Sequence, residues 1–158
     1  MGDGRYRMGL ELVVRAPVRR VWHIITDYTA IKRLNPAVRG SMVISRDGLT
    51  LVRMRIRSCI LFICFPITQT ESMTTDGDTS VRGVIVPQLS SFRSGYSQWR
   101  LRPVAGGTEA RFTASLAPSF YIPPLIGPWL IRLKLRDEMR ATAARLRAWV
   151  DAKTPHKA

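Results

Sequence analysis

The sequence predicts an α+β domain in which a curved antiparallel sheet of about seven strands wraps round one long C-terminal helix. Two observations lead to this prediction. A series of strand-like runs is separated by short turns, which is typical of an antiparallel meander. An amphipathic stretch of about 24 residues follows, and its apolar stripe has to be buried on that sheet. The expected order of elements is β-α-α-β6-α.

The length and composition fit one globular domain. The chain has 158 residues, and 46% of them are hydrophobic, which excludes the disordered class. We place the domain at residues 10–152, between an N-terminal tail at 1–9 and a C-terminal tail at 153–158. No run of about 18 apolar residues is present, so we predict no transmembrane helix. The N-terminus also lacks the apolar segment of a secretory signal.

The first part of the chain combines a strand with two short helices. We predict a strand over residues 10–15 and a helix that begins at Pro17, which suits a first helical turn. A second short helix is expected over residues 30–34, ending before Pro36. The apolar stripe of the first helix consists of Val18, Val21, Trp22 and Ile25.

The meander and the last helix carry the clearest patterns. Strands are predicted over residues 38–45, 49–57, 60–74, 79–86, 96–102 and 109–117. Residues 49–57 alternate strictly, which indicates a half-buried strand with a basic outer face made by Arg53, Arg55 and Arg57. The helix is predicted over residues 129–152, with a stripe of Ile131, Leu135, Met139, Ala143, Leu146 and Val150.

The charge is strongly basic. There are 25 Lys and Arg residues against 11 Asp and Glu residues, a formal net charge of +14. Such a charge predicts attraction to nucleic acid, to an acidic membrane surface or to an acidic partner.

The two cysteines, Cys59 and Cys64, are too few for a disulfide scaffold. Their odd spacing places them on opposite faces of a strand, so we predict two reduced, buried thiols. Such thiols suit a reducing cytoplasm.

Residues that carry chemistry are sparse. Two distant histidines without a Cys/His cluster predict no metal site, and no glycine loop suited to phosphates is present. His23 and Asp27, four residues apart on a helix, favour a surface contact over a catalytic pair. We predict no cofactor and no catalytic residue. Glu71, in a strand, is the carboxylate whose burial in a cavity would matter.

Three segments together suggest a family. The opening strand followed by residues 16–22 (APVRRVW) and Asp27-Tyr28, then residues 55–62 (RIRSCILF), and finally the Arg-rich last helix resemble the START-like superfamily, also called SRPBCC or helix-grip proteins. They are most similar to its polyketide cyclase/dehydrase and coenzyme Q-binding branches. The resemblance covers roughly residues 10–150. It implies a cavity between sheet and helix, and the superfamily includes both carriers and enzymes.

The resemblance implies an apolar ligand, such as a lipid, a quinone or another isoprenoid. Its expected wall comprises Met54, Ile56, Trp99, Leu101, Phe112, Ala114, Leu116, Leu135 and Met139. The alternative is a cyclase or aromatase acting on a polyketide-like substrate. That enzyme needs titratable groups inside the cavity, and Glu71, Tyr96 and Arg82 are its candidates.

Alternate turns of a meander lie at the same end of the sheet, so the turns divide into two groups. The composition of one group predicts an end of the sheet that is unusually apolar. Loops near residues 58–61, 87–95 and 118–128 share that end, and they are apolar with basic flanks. They contain Ile60, Leu61, Leu89, Phe92, Phe120, Tyr121, Ile122, Leu125 and Ile126, flanked by Arg93 and Arg132. Either these loops contact an anionic membrane around a ligand mouth, or they fold over one another and close the core.

Nucleic-acid binding is the third choice. The strands offer outward arginines, including Arg100 and Arg102, but the aromatic residues lie on the apolar faces and in the apolar loops. We therefore expect a protein of the bacterial cytoplasm that binds an apolar ligand and visits the inner face of the membrane. The sequence does not predict an oligomeric state.

Overall fold

The computed structural model describes residues 4–152, and within them seven strands form one antiparallel sheet. Their order across the sheet is β1-β7-β6-β5-β4-β3-β2. The elements are β1 (Tyr6–Val14), α1 (Val18–Ile25), a 3₁₀ helix (Tyr28–Arg33), β2 (Val38–Arg46), β3 (Leu49–Ile60), β4 (Ile63–Asp76), β5 (Ser80–Ile85), a second 3₁₀ helix (Pro87–Leu89), β6 (Phe92–Val104), β7 (Gly107–Pro118) and α2 (Pro128–Ala152). The predicted sheet round a long C-terminal helix is confirmed.

Helix α2 packs tightly on the sheet only in its C-terminal half. There Leu146, Trp149 and Val150 are buried in the main core, which also contains Val21 of α1 and Leu12 of β1. Full burial of one such aliphatic side chain contributes about 1.5–3 kcal/mol. The N-terminal half of α2 lies instead over an open interior, as described below.

Strand β1 begins four residues earlier than predicted, at Tyr6. Residues 6–9, predicted to belong to a tail, pair with β7, in a register that sets Tyr6 opposite Leu116 and Met8 opposite Ala114. The prediction missed this pairing because the distant β7 supplies the hydrogen-bonding partner. Residues 1–3 and the predicted tail at 153–158 lie outside the described residues.

The second predicted helix is a 3₁₀ helix over Tyr28–Arg33, two residues earlier than expected. The ring of its Tyr28 packs against the cluster formed by Val38, Val52 and Met54. This segment therefore covers the concave side of β2 and β3.

The prediction of two reduced thiols is wrong. Cys59 and Cys64 lie directly opposite each other across the β3–β4 hairpin and form a disulfide, with their Cα atoms 4.0 Å apart. The turn is predicted near residues 58–61, but it consists of Leu61 and Phe62, so the two cysteines belong to different strands. The cysteines therefore give no argument for a reducing compartment.

The disulfide should add moderately to stability. Replacing both cysteines, Cys59→Ser with Cys64→Ser, should lower the free energy of unfolding by about 2 kcal/mol or less, because the bridge closes only a short loop. Urea unfolding under non-reducing conditions measures this difference. Thiol titration of the unfolded, unreduced native sequence should find no free thiol, and two reactive thiols would contradict the bridge.

Candidate functional site

An interior cavity of about 220 Å³ lies between the N-terminal half of α2 and the concave face of the sheet. It exists because every strand contributes one face of alternating side chains to this space. Residues of β3, β4, β6 and β7 form its walls, and residues from the first 3₁₀ helix close one side. The wall is mostly apolar.

Eight of the nine residues that we predicted for the ligand wall line this cavity. They are Met54, Ile56, Trp99, Phe112, Ala114, Leu116, Leu135 and Met139. The rings of Trp99 and Phe112 are in contact, with centroids 4.9 Å apart. Leu101 does not line the cavity. It is buried in the main core, because at its level along β6 the C-terminal half of α2 and helix α1 close the interior.

A second cavity of about 110 Å³ adjoins the first towards the loop-bearing end of the sheet. Its walls include Ile60, Phe65, Phe120, Ile122 and Ile131. The two cavities share the wall residues Met8, Ser58, Ile67, Phe92, Leu116 and Leu135. The apolar interior therefore extends from the centre of the domain to the loops.

One carboxyl group lies deep in the larger cavity. Glu71, on β4, is only 2% exposed. The Ser97 hydroxyl donates to both of its carboxyl oxygens, at 3.0 and 2.9 Å, and Gln69 Nε2 donates to one of them at 3.2 Å. Burial raises the pKa of Glu71, and the hydrogen bonds from Ser97 and Gln69 act in the opposite direction.

Gly83 makes room for this carboxyl group. It lies on β5 beside β4, and a Cβ atom at position 83 would stand 2.6 Å from Glu71 Oε1 and 2.8 Å from the Met73 sulfur. Only glycine fits this place without moving the buried Glu71 or the partly buried Met73. A residue larger than glycine at position 83 would displace the buried carboxyl group of Glu71.

A second carboxyl group, Glu138 of α2, also lines the larger cavity. Burial raises its pKa, while the Lys134 charge and a hydrogen bond from the Ser58 hydroxyl lower it. Sequence analysis missed Glu138 because it lies beside, not on, the stripe that we chose. The buried face follows the spacing of Ile131, Leu135, Glu138, Thr142, Leu146 and Trp149, so a heptad-like stripe would have found it.

The other two titratable groups that we predicted for an enzyme lie outside the cavity. Arg82 and Tyr96 are on the outer face of the sheet, where the guanidinium carbon lies 4.1 Å from the centre of the Tyr96 ring. Tyr28 does line the cavity, and burial raises the pKa of its hydroxyl. Of the three candidates for an enzyme, only Glu71 is in the cavity. Within residues 4–152, no three potential metal ligands form a cluster.

The loops between β3 and β4, between β5 and β6, and between β7 and α2 share one end of the antiparallel sheet, as the alternation of turns predicts. We call this end, with the first turns of α2, the loop pole. Aromatic contacts tie it together, since the Phe120 ring lies 5.6 Å from Phe65 and 6.1 Å from Phe92. The Ser119 amide also donates to the Ser91 carbonyl at 2.9 Å.

The residues predicted for a membrane contact divide into two groups. Phe92 and Ile126 are buried, while Ile60, Leu89, Phe120 and Ile122 are partly buried, so these residues close the interior. Phe92 and Arg93 belong to β6 rather than to a loop, and Arg93 donates to the Pro118 carbonyl at 2.7 Å. Exposed apolar side chains at the pole are Leu61, Phe62, Tyr121, Leu125, Trp129 and Leu133, and Arg132 is exposed among them.

The chain belongs to the family described as polyketide cyclase/dehydrase and lipid transport, whose model matches residues 8–151. The resemblance to START-like proteins is thereby confirmed. No curated protein sequence matches the chain significantly.

Solved structures share the fold at low sequence identity. Zhui aromatase/cyclase from Streptomyces sp. R1128 superposes with a TM-score of 0.76 at 12% identity, over 96% of this chain and 97% of its own. A START superfamily protein from Mycobacterium smegmatis superposes with a TM-score of 0.73 at 16% identity, over 94% of this chain and 99% of its own. A STAR-related lipid transfer protein from Xanthomonas axonopodis superposes with a TM-score of 0.67 at 17% identity, over 96% of both chains.

Glu71 should make stability depend on pH. At pH values below the ordinary pKa of a glutamate, the carboxyl is protonated in both folded and unfolded chains. Between that ordinary pKa and the raised pKa of the folded state, the unfolded chain releases its proton while the folded chain still holds it. The free energy of unfolding therefore falls as the pH rises through this range. Glu71→Gln should flatten this fall, as measured by urea unfolding across pH.

The matched control for that change is Asp76→Asn, at the exposed end of the same strand. It should leave the pH dependence as it is in the native sequence. Parallel curves for the native protein and Glu71→Gln would show that the buried carboxyl does not titrate differently on folding.

Proposed function

We propose that this protein binds an apolar ligand, such as a lipid, a quinone or another isoprenoid, in its interior cavity and docks by the loop pole on an anionic membrane. Ligand binding is supported mainly by the cavity, because the N-terminal half of α2 covers this space but its side chains do not fill it. Side chains around an unfilled apolar space of 220 Å³ lack packing partners on one side. A bound apolar molecule would supply these packing partners.

The size of the interior limits how the ligand lies. The larger cavity is below the range of about 300–1,000 Å³ that is usual for ligand pockets. A long chain therefore needs the adjoining cavity of 110 Å³ as well. Its outer end would then lie against Phe120 and Ile122, under the loop pole.

Membrane docking is supported by the most exposed apolar side chains of the loop pole, which we call its tips. Phe62 is 82% exposed and Tyr121 is 74% exposed. Leu61 precedes Phe62 in the two-residue turn and has φ of 59°, a backbone conformation that costs a non-glycine residue about 1–2 kcal/mol. A large apolar side chain at such a position, where glycine would be less strained, is consistent with a contact that needs it.

Basic side chains near this patch favour an anionic surface. Arg132 is exposed on α2 between the exposed Trp129 and Leu133, and Lys134 follows on the same helix. Each such charge near an anionic membrane contributes about 1 kcal/mol. The described residues include no helix long and apolar enough to span a membrane.

A cyclase-like enzyme is the second candidate, because two carboxyl groups, Glu71 and Glu138, line the same cavity. Acid–base chemistry needs such groups within reach of a substrate. Recovery of the bound molecule chemically unchanged after prolonged incubation favours a carrier. Its conversion, lost in Glu71→Gln or Glu138→Gln, favours the enzyme.

Filling the cavity should prevent ligand binding. Ala114→Phe places a ring in the larger cavity, because Ala114 is buried on the inward face of β7. We expect little or no apolar molecule to be detected by native mass spectrometry and solvent extraction of the purified protein. Thr113→Phe, at the exposed neighbouring position on the outer face, is the control and should retain the ligand. Equal ligand content in both folded variants would contradict the cavity as the binding site.

Removing the exposed tips should weaken membrane binding. Phe62→Ser with Tyr121→Ser should reduce cosedimentation with vesicles of phosphatidylglycerol and phosphatidylcholine while leaving thermal stability nearly unchanged, because both side chains are mostly in solvent. Binding should decrease with salt and be weak on pure phosphatidylcholine.

The control pair is Met42→Ser with Val43→Ser, two exposed apolar residues in the edge strand β2, outside the loop pole. This pair should bind vesicles as the native protein does. If both double variants lose binding equally, or if neutral vesicles bind as well as anionic ones, the loop pole is not an electrostatically assisted docking surface.

A further inference from the structure

The larger cavity lacks the basic side chains that dominate the surface, and Lys134 lines only the adjoining outer cavity. The chain carries 25 Lys and Arg residues against 11 Asp and Glu residues. Yet among the described residues that line the larger cavity there are two carboxyl groups, Glu71 and Glu138, and neither a lysine nor an arginine. A cavity meant for an anionic head group would present basic or other donor groups to it.

The two carboxyl groups lie at different depths. Ser58, which hydrogen-bonds Glu138, belongs to the wall shared with the outer cavity. Glu71 lies opposite Val52 on β3, six residues from Ser58 along that strand, which corresponds to about 20 Å. Glu71 therefore lies farther from the loop pole than Glu138. Trp99 and Phe112 lie beyond Glu71, because their register positions on β6 and β7 are still farther from that pole.

Glu71 keeps hydrogen-bonding capacity after its protein partners are counted. A carboxylate has about four lone-pair sites. The hydroxyl of Ser97 has one hydrogen, which the two oxygens at 3.0 and 2.9 Å share, and Gln69 supplies one more. At least one acceptor site remains, and the carboxyl lines the cavity.

We propose that Glu71 receives the polar end of the ligand, and that this end is a hydrogen-bond donor without negative charge, namely a hydroxyl or an amine. This deepens the proposed function and rests on it. The ligand enters polar end first, its donor group reaches Glu71, and its apolar part lies along Ile67, Phe92 and Leu116 towards the loop pole. A carboxylate or phosphate at the leading end is disfavoured, because it would lose its hydration in an apolar cavity whose described lining includes no lysine or arginine to pair with it.

Three ten-carbon probes that differ only in the head group test this. Decan-1-ol, decylamine and decanoate, below their micelle-forming concentrations, compete with the neutral fluorescent probe N-phenyl-1-naphthylamine. In the native protein decanoate should bind at least about tenfold more weakly than decan-1-ol. The basic surface attracts decanoate and repels decylammonium, so this order would have to arise in the cavity.

Variants assign the effect to one residue. Glu71→Gln keeps the shape and should remove most of the difference between decanoate and decan-1-ol. Asp76→Asn, exposed on the same strand, should retain the difference, and thermal unfolding shows whether each variant is folded. Glu138→Gln separates the two carboxyl groups, and it should retain most of the difference.

The outcomes separate this inference from the proposed function. Binding of all three probes with equal affinity overturns the role of Glu71 but leaves an apolar binding cavity in place. That result comes from the native protein and does not depend on any variant folding. Loss of the difference in Glu138→Gln but not in Glu71→Gln overturns the assignment to Glu71. If neither the probes nor N-phenyl-1-naphthylamine bind, the proposed function fails, and this inference fails with it.

Discussion

The packing of α2 on the concave face of the sheet decides both the stability of this domain and the existence of its cavity. The C-terminal half of α2 buries Leu146, Trp149 and Val150 against β1 and α1, and this contact holds the helix in place. The N-terminal half is then held away from the sheet over the cavity, with Leu135 and Met139 directed into it. Because protein interiors are otherwise close-packed, this space indicates a function that tight packing would prevent.

The distribution of charge differs between the surface and the larger cavity, and it fits the two contacts that we propose. Exposed arginines such as Arg55, Arg57 and Arg132 give the surface its basic character, which suits an anionic membrane. The interior carries Glu71, whose burial is tolerated because Ser97 and Gln69 donate to it and Gly83 leaves it room. An acid in this environment costs stability, and a ligand that donates to it would offset part of that cost.

The loop pole combines the two interpretations that the sequence left open. Phe92 and Ile126 are buried, and Phe120 packs on Phe65, so part of the pole closes the interior. Phe62 and Tyr121 extend into solvent, so another part is available for contact. The disulfide lies just behind the tip of the β3–β4 hairpin and limits how far that tip can open. A pole built in this way can hold a ligand beneath an apolar contact surface.

The sequence alone determined the architecture, because alternation along β3 and β7 and the stripe of α2 are local patterns that require one buried face. The same alternation placed Met54, Trp99 and Phe112 on the wall of the cavity. Tertiary structure decided the rest. The pairing of Cys59 with Cys64 depended on a turn two residues long, and the burial of Leu101 depended on where α2 and α1 close the interior. Glu138 entered the cavity because the helix sequence allows more than one stripe, and only packing against the sheet decides which stripe is buried.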